Sequence, residues 1–362
     1  MNKGHIKRVF PGGNTSQGFF SYYDYILGQE EASRIFILKG GPGVGKSTFM
    51  EYIGNEMANK GFDVEFMQCS SDNDSLDGVV IPALKTALID GTAPHVLDPK
   101  NPGAVDEIIN LGDFWNRKGI SKNKEEIIQL NMEIKRLFER AYRYIKAAAY
   151  FHEDSAVIYG WAINPAYISI LAGRLINELF QSRGIAEKEG KERRLFASAI
   201  TPGGLKNYLD TVLVTGKVYA VRGFQGTGTD RLLEKVKLAA VERGYYTESY
   251  YCALHPQKIE HLVIPEADVS LTTVNDFHEA DVTVCMEIDL NSSLDKRIIA
   301  RYAGILEFNK EQFDFLLQKA ISTIKTAKET HDMIERYYIE NMNFEARNKF
   351  MEETLAKILE QA

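Results

Sequence analysis

The chain has 362 residues, 44% hydrophobic and 26% charged, with a formal net charge of -7. These are the values of a globular protein long enough for two ordinary domains, and they argue against a broad nucleic-acid footprint or an anionic-membrane surface. Cys69, Cys252 and Cys285, an odd number without a C-x-x-C pair, fit a reduced cytoplasm, and no apolar run approaches a membrane span.

In chain order, IFIL at residues 35–38 is a short apolar run that ends in glycines and predicts a strand. Residues 48–59 place Phe49, Tyr52, Ile53 and Met57 at helical spacing before the stop signal Lys60-Gly61. DVEFMQ at 63–68 alternates as a second strand, and residues 86–89 form a third that ends at the turn signal Asp90-Gly91. Strands alternating with a helix predict an α/β fold with a mostly parallel sheet flanked by helices. From 122 to 151, Ile127, Leu130, Ile134, Leu137, Ala141 and Ile145 recur at steps of three and four, as one long amphipathic helix. Pro165 opens a second that runs to about Phe180, and residues 311–361 repeat the helical pattern. Both helical pairs read as packing elements, with a partner-binding surface as the other option.

The chain is written twice. A shift of 183 residues sets Gly40 on Gly223, Gly43 on Gly226, Gly45 on Gly228, Cys69 on Cys252, and His95 on His278. Upstream the shift is 186, pairing Arg8 with Arg194 and Tyr22 with Tyr208; downstream it is 179, pairing His152 with His331 and Tyr159 with Tyr338. Three registers in the same order describe a duplication with two short length changes. The polar stretch 181–192 is the seam, giving one domain over 1–185 and its repeat over 190–362, expected to pack as a pseudo-dimer.

Gly40-Gly41-Pro42-Gly43-Val44-Gly45-Lys46-Ser47 fits G-x-x-x-x-G-K-[ST], after a predicted strand and at the start of a predicted helix that continues through Thr48. The glycines allow the N–H groups to curl around phosphate oxygens, Lys46 would reach the β- and γ-phosphates, and the Ser47 hydroxyl would ligate Mg²⁺. On these residues the chain resembles the P-loop NTPase superfamily over 34–98 and, more weakly, 217–281. Its layout of two copies with a decayed second one is similar to an uncharacterised family of bacterial ATP-binding proteins. The resemblance implies ATP and Mg²⁺ as ligands and an acidic strand end for the metal, for which Asp90 is the candidate. The Glu that follows such an Asp in many hydrolytic members is absent, since Gly91 stands there. An alternative base lies in the loop 70–78, where Asp72 or Asp74 is placed to orient water. His95 is a weaker candidate, and neither N-K-x-D nor L-S-G-G-Q occurs, so ATP is the default nucleotide.

The second copy keeps the glycines but carries Thr229 for Lys46, Asp230 for Ser47 and Thr273 for Asp90. A carboxylate about 4 Å from a phosphate charge costs roughly 4 kcal/mol at an effective dielectric near 20, about a thousandfold in affinity. Arg222 and Arg231 are candidates to reach across as arginine fingers. The expected protein is a slow Mg·ATPase that works as a nucleotide-dependent switch, with its active site in the first copy. A kinase passing the ATP γ-phosphoryl to a small-molecule or nucleotide acceptor and a non-catalytic, nucleotide-gated scaffold for a protein partner are the alternatives.

Overall fold

A computed structural model describes residues 3–92, 96–275, 278 and 282–360. The first copy comprises β1 (Ile6–Val9), the hairpin β2 (Gly12–Thr15) and β3 (Gly18–Ser21), β4 (Arg34–Lys39), α1 (Lys46–Asn59), β5 (Val64–Gln68), β6 (Leu76–Ile81), β7 (Thr86–Asp90), β8 (Asp106–Asn110), a short α2 (Arg117–Ser121), α3 (Lys124–Ala162) and α4 (Pro165–Phe180). The second repeats it: β9 (Glu192–Leu195), β10 (Ser198–Thr201), β11 (Gly204–Asn207), a short α5 (Leu209–Val212), β12 (Lys217–Arg222), α6 (Thr229–Glu242), β13 (Thr247–Tyr251), β14 (Ile259–Ile264), β15 (Val269–Val274), β16 (Met286–Asp289), α7 (Lys296–Ile339) and α8 (Phe344–Leu359). Among the described residues no single helix is long and apolar enough to cross a membrane.

The two sheets have the same strand order, β1-β5-β6-β7-β4-β8 and β9-β13-β14-β15-β12-β16. Each is mixed: five strands run the same way, and only β6 and β14 run antiparallel to both neighbours. The sequence LDGVVI hides β6, since Asp77-Gly78 imitates a turn. Here Asp77 is buried and Gly78 lies close against the Leu88 carbonyl. The edge strands β1 and β9, IKRV and ERRL, are masked by their charges, and the Lys7 and Arg193 side chains turn inward to partners in the other copy.

Those partners mark a pseudo-twofold axis. Phe10 and Phe196 bridge as an antiparallel pair, and around them Lys7 lies 2.7 Å from Glu248 and 3.0 Å from Glu65, while Arg193 lies 2.7 Å from Glu65 and 3.7 Å from Glu248. The copies share a core, in which Val9, Ile35, Ile37 and Val80 pack with Leu195, Val218, Tyr250 and Val263.

The helical pairs are exchanged. Asn164 and Asn343 cap α4 and α8 with their side chains, and each capped helix packs on the other copy's α1-type helix. Ile168 and Leu175 of α4 thus join Leu232, Leu233 and Val236 of α6, and Met351, Leu355 and Ile358 of α8 join Phe49, Met50 and Ile53 of α1. Burial of each such side chain contributes roughly 1.5–3 kcal/mol. The long α3 and α7 run against each other and hold the exchange together.

Candidate functional site

The apolar β4 delivers the chain to the sheet edge, where it turns through Gly43 (φ 71°) and Gly45 (φ 87°), a left-handed backbone that a Cβ would oppose. Gly45 caps α1 without a side chain, so the first-turn N–H groups face outward. Among the described residues those of Gly43, Gly45 and Lys46 find no acceptor within the chain. The second loop has the same curl at Gly226 (φ 84°) and Gly228 (φ 95°).

Lys46, the first residue of α1, turns its ammonium back onto the Gly40 and Gly41 carbonyl oxygens at 3.1 and 3.0 Å, and lies 3.6 Å from the Asp90 carboxylate. Asp90 ends β7, beside β4, and its Oδ1 accepts from the N–H and hydroxyl of Thr92 at 2.9 and 2.6 Å. Ser47 Oγ accepts the Leu76 N–H at 3.0 Å, which ties the start of α1 to the end of the acidic loop. The sequence candidates Lys46, Ser47 and Asp90 therefore converge at one edge. Pro42 is half-buried, Val44 is buried as an anchor and Thr48 is exposed.

The acidic loop leaves β5 at the same edge. Asp72 accepts from the Ser75 hydroxyl (2.7 Å) and the Asp74 N–H (3.2 Å), and pairs with Lys328 of α7 at 3.4 Å. Asp74 itself is exposed. His95 lies outside the described residues.

The loop is roofed by the second copy's helical pair. A Cβ on Gly41 would come within 2.3 Å of the Tyr338 ring, one on Gly43 within 2.9 Å of the Glu335 carbonyl oxygen, and one on Gly45 within 2.9 Å of the Arg347 guanidinium. The turn between α7 and α8 is docked by main-chain bonds from Asn116 to Asn341 (2.7 Å) and from Asn343 to Phe114 (2.8 Å), with Trp115 5.7 Å from the Tyr338 ring.

Arg347 was not among the sequence candidates. It is 5% exposed, its Nη1 reaches the Gly45 carbonyl oxygen only at 3.4 Å, and its Nε has no partner. Among the described residues no carboxylate lies within ion-pair distance of it, and burial pulls its pKa below the ordinary value. A signal was available: in the downstream register Arg347 answers to Ile168, a charge in place of an apolar residue on an otherwise matched face. Arg222 instead pairs with Glu287 at 2.7 Å and Arg231 is exposed on α6, so the guanidinium beside the first loop is neither of these.

At the second loop every charge is changed while the frame is kept. Gly226 lies under the Ala156 carbonyl, Gly228 under Ile168, and Tyr159 stacks on Phe224 at 4.7 Å. Thr229, Asp230, Thr273 and Ile168 stand where the first site has Lys46, Ser47, Asp90 and Arg347.

No family model, curated protein or solved structure matches the chain.

Proposed function

We propose that the chain is a P-loop nucleotide-binding protein that takes Mg·ATP at its first glycine loop, hydrolyses it slowly, and uses the nucleotide to set how α7 and α8 sit on that loop. Arg347 carries this reading. A buried guanidinium without a carboxylate is costly to keep unless an anion becomes its partner, and this one lies beside unbonded N–H groups at a helix N-terminus.

A triphosphate laid along the N–H groups of Gly43, Gly45 and Lys46 replaces the Gly40 and Gly41 carbonyl oxygens as partner of the Lys46 ammonium. Arg347 meets it from the opposite side. Ser47 and Asp90 offer the hard oxygen donors that suit Mg²⁺, which would neutralise charge on the β- and γ-phosphates. Lys46 and Arg347 stabilise charge on the three oxygens of the transferring phosphoryl, and Asp72 orients the attacking water. The γ-phosphorus bond to the ADP oxygen breaks as the water oxygen bonds, releasing ADP and inorganic phosphate. Turnover is slow because Gly91 follows Asp90 and Asp72 is already engaged by Ser75 and Lys328. Since Tyr338, Glu335 and Arg347 lie on the loop itself, nucleotide entry shifts α7 and α8.

Calorimetric titration of the full chain with Mg·ATP, paired with a phosphate-release assay, tests the proposal. One nucleotide per chain and acceptor-independent phosphate release are expected. Two nucleotides per chain, or no heat at millimolar ATP, would overturn it.

A further inference from the structure

The second copy has lost the charges of the first loop and gained a different set. Beside its loop lies a cavity of about 280 Å³ whose lining includes Thr229, Asp230, Cys252, Lys258, Glu260 and His278. Successive strand residues face opposite ways, yet Glu260 and His261 meet, because β14 bulges there: Tyr250 pairs with His261 and Tyr251 with Ile259, leaving Glu260 between them. One donor atom from each of Glu260, His261 and His278 lies within 4.8 Å of the others.

We propose that Glu260, His261 and His278 form a binding site for a divalent first-row transition metal of the zinc class, with a fourth position open to the cavity. The hydrogen bonds behind the imidazoles favour it. His261 Nδ1 is held by the Thr272 hydroxyl at 2.8 Å, and its Nε2, in a side chain with no exposure, has no partner. His278 Nδ1 donates to the Asn275 side-chain oxygen at 3.0 Å, which aims Nε2 at the Glu260 carboxylate, 2.5 Å away. Both rings are thus fixed through one nitrogen with the other turned inward, the arrangement that outer partners impose on metal-ligating histidines. Two imidazoles and a carboxylate select zinc-like ions over Mg²⁺, and three protein ligands leave one position for water or substrate.

His278 Nε2 lies 2.5 Å from Glu260 Oε2, an oxygen with no hydrogen-bond partner. Metal uptake requires Nε2 without a proton, which leaves to solvent, and the imidazole and the carboxylate then donate lone pairs to the ion. With bonds of about 2.0 Å they must part to roughly 3.3 Å across a tetrahedral centre. The oxidation state does not change. The first copy cannot do this, since Gly78 stands where His261 does.

The full chain, stripped with chelator, should take up one Co²⁺ and show the intense visible absorption of a four-coordinate ion, displaced by Zn²⁺. His278→Gln, at the cavity wall, should weaken uptake at least a hundredfold, and Thr272→Val about tenfold through the freed His261 ring. His331→Gln should leave uptake unchanged, although His331, Asp332 and Glu335 form a second acidic cluster on α7. No uptake at micromolar Co²⁺, a purely octahedral spectrum, or loss of the ion in His331→Gln rather than His278→Gln overturns the site and leaves Glu260 and His278 as a plain ion pair.

Discussion

Phe10 and Phe196, equivalent residues of the two copies, donate to each other's carbonyl oxygens at 2.8 and 3.0 Å. A reciprocal bond between equivalent residues places a twofold axis between them. The charges beside it obey the same symmetry, with Lys7 answering to Arg193 and Glu65 to Glu248.

Removing one member of this buried quartet leaves the others uncompensated. Glu65→Gln should destabilise the protein by about 3 kcal/mol, read as a lower urea midpoint with little change in slope. An unchanged midpoint would mean that water already reaches the quartet.

Acid should destabilise the fold in two stages. Burial pushes His152 down to about 3 and His255 down to about 4, below the unfolded value near 6.5. The unfolded chain therefore takes up protons first, and stability falls as pH drops from about 6.5 towards those lower values. Burial alone would raise Glu65, but Arg193 and Lys7 overcome it and hold the carboxyl well below its usual range. Its contribution is complete above about pH 4.3 and is lost as pH falls towards the folded value. Melting temperatures from pH 8 to pH 3 check this, and His152→Gln should flatten the upper stage.

Arg347→Met separates binding from folding. Taking away a buried charge that has no carboxylate beside it should leave the nucleotide-free protein as stable or more so, whereas Mg·ATP affinity should fall ten- to a hundredfold, the value of one charge-assisted hydrogen bond. Parallel loss of melting temperature and affinity would mark Arg347 as a packing residue instead.

Lys46→Ala should abolish stabilisation by Mg·ATP in a thermal shift assay, and Thr229→Ala should preserve it. Equal behaviour of the two variants would remove the distinction between the loops.

Trp115 should report the movement of α7. The chain has two tryptophans, so Trp161→Phe leaves Trp115, against Tyr338, as the sole reporter. Its emission should change on adding Mg·ATP in that variant, and stay constant when Lys46→Ala is added.

The duplication, the strand–loop–helix at Lys46 and the long helical pairs were legible because each rests on local spacing. The element pairs of the structure follow the sequence registers: β4 with β12, α1 with α6, α4 with α8. What was illegible depends on partners distant in sequence. IKRV of β1 reads as polar until Glu248 is opposite Lys7, and LDGVVI of β6 reads as a turn until β5 and β7 flank it. The residues that meet at the first loop come from positions about 300 apart, so no motif window joins Gly45 to Arg347. The acidic loop was rightly put at the same sheet edge, but no spacing rule shows that Lys328 engages Asp72.

Through the exchanged helical pairs each copy covers the other's loop. Two separate halves of this shape would each lend an arm to cover the other's loop, which is the geometry of a swapped homodimer. The carboxy-terminal half has no lysine at its own loop, yet it carries Tyr338, Glu335 and Arg347, so deleting it would uncover the half that looks self-sufficient.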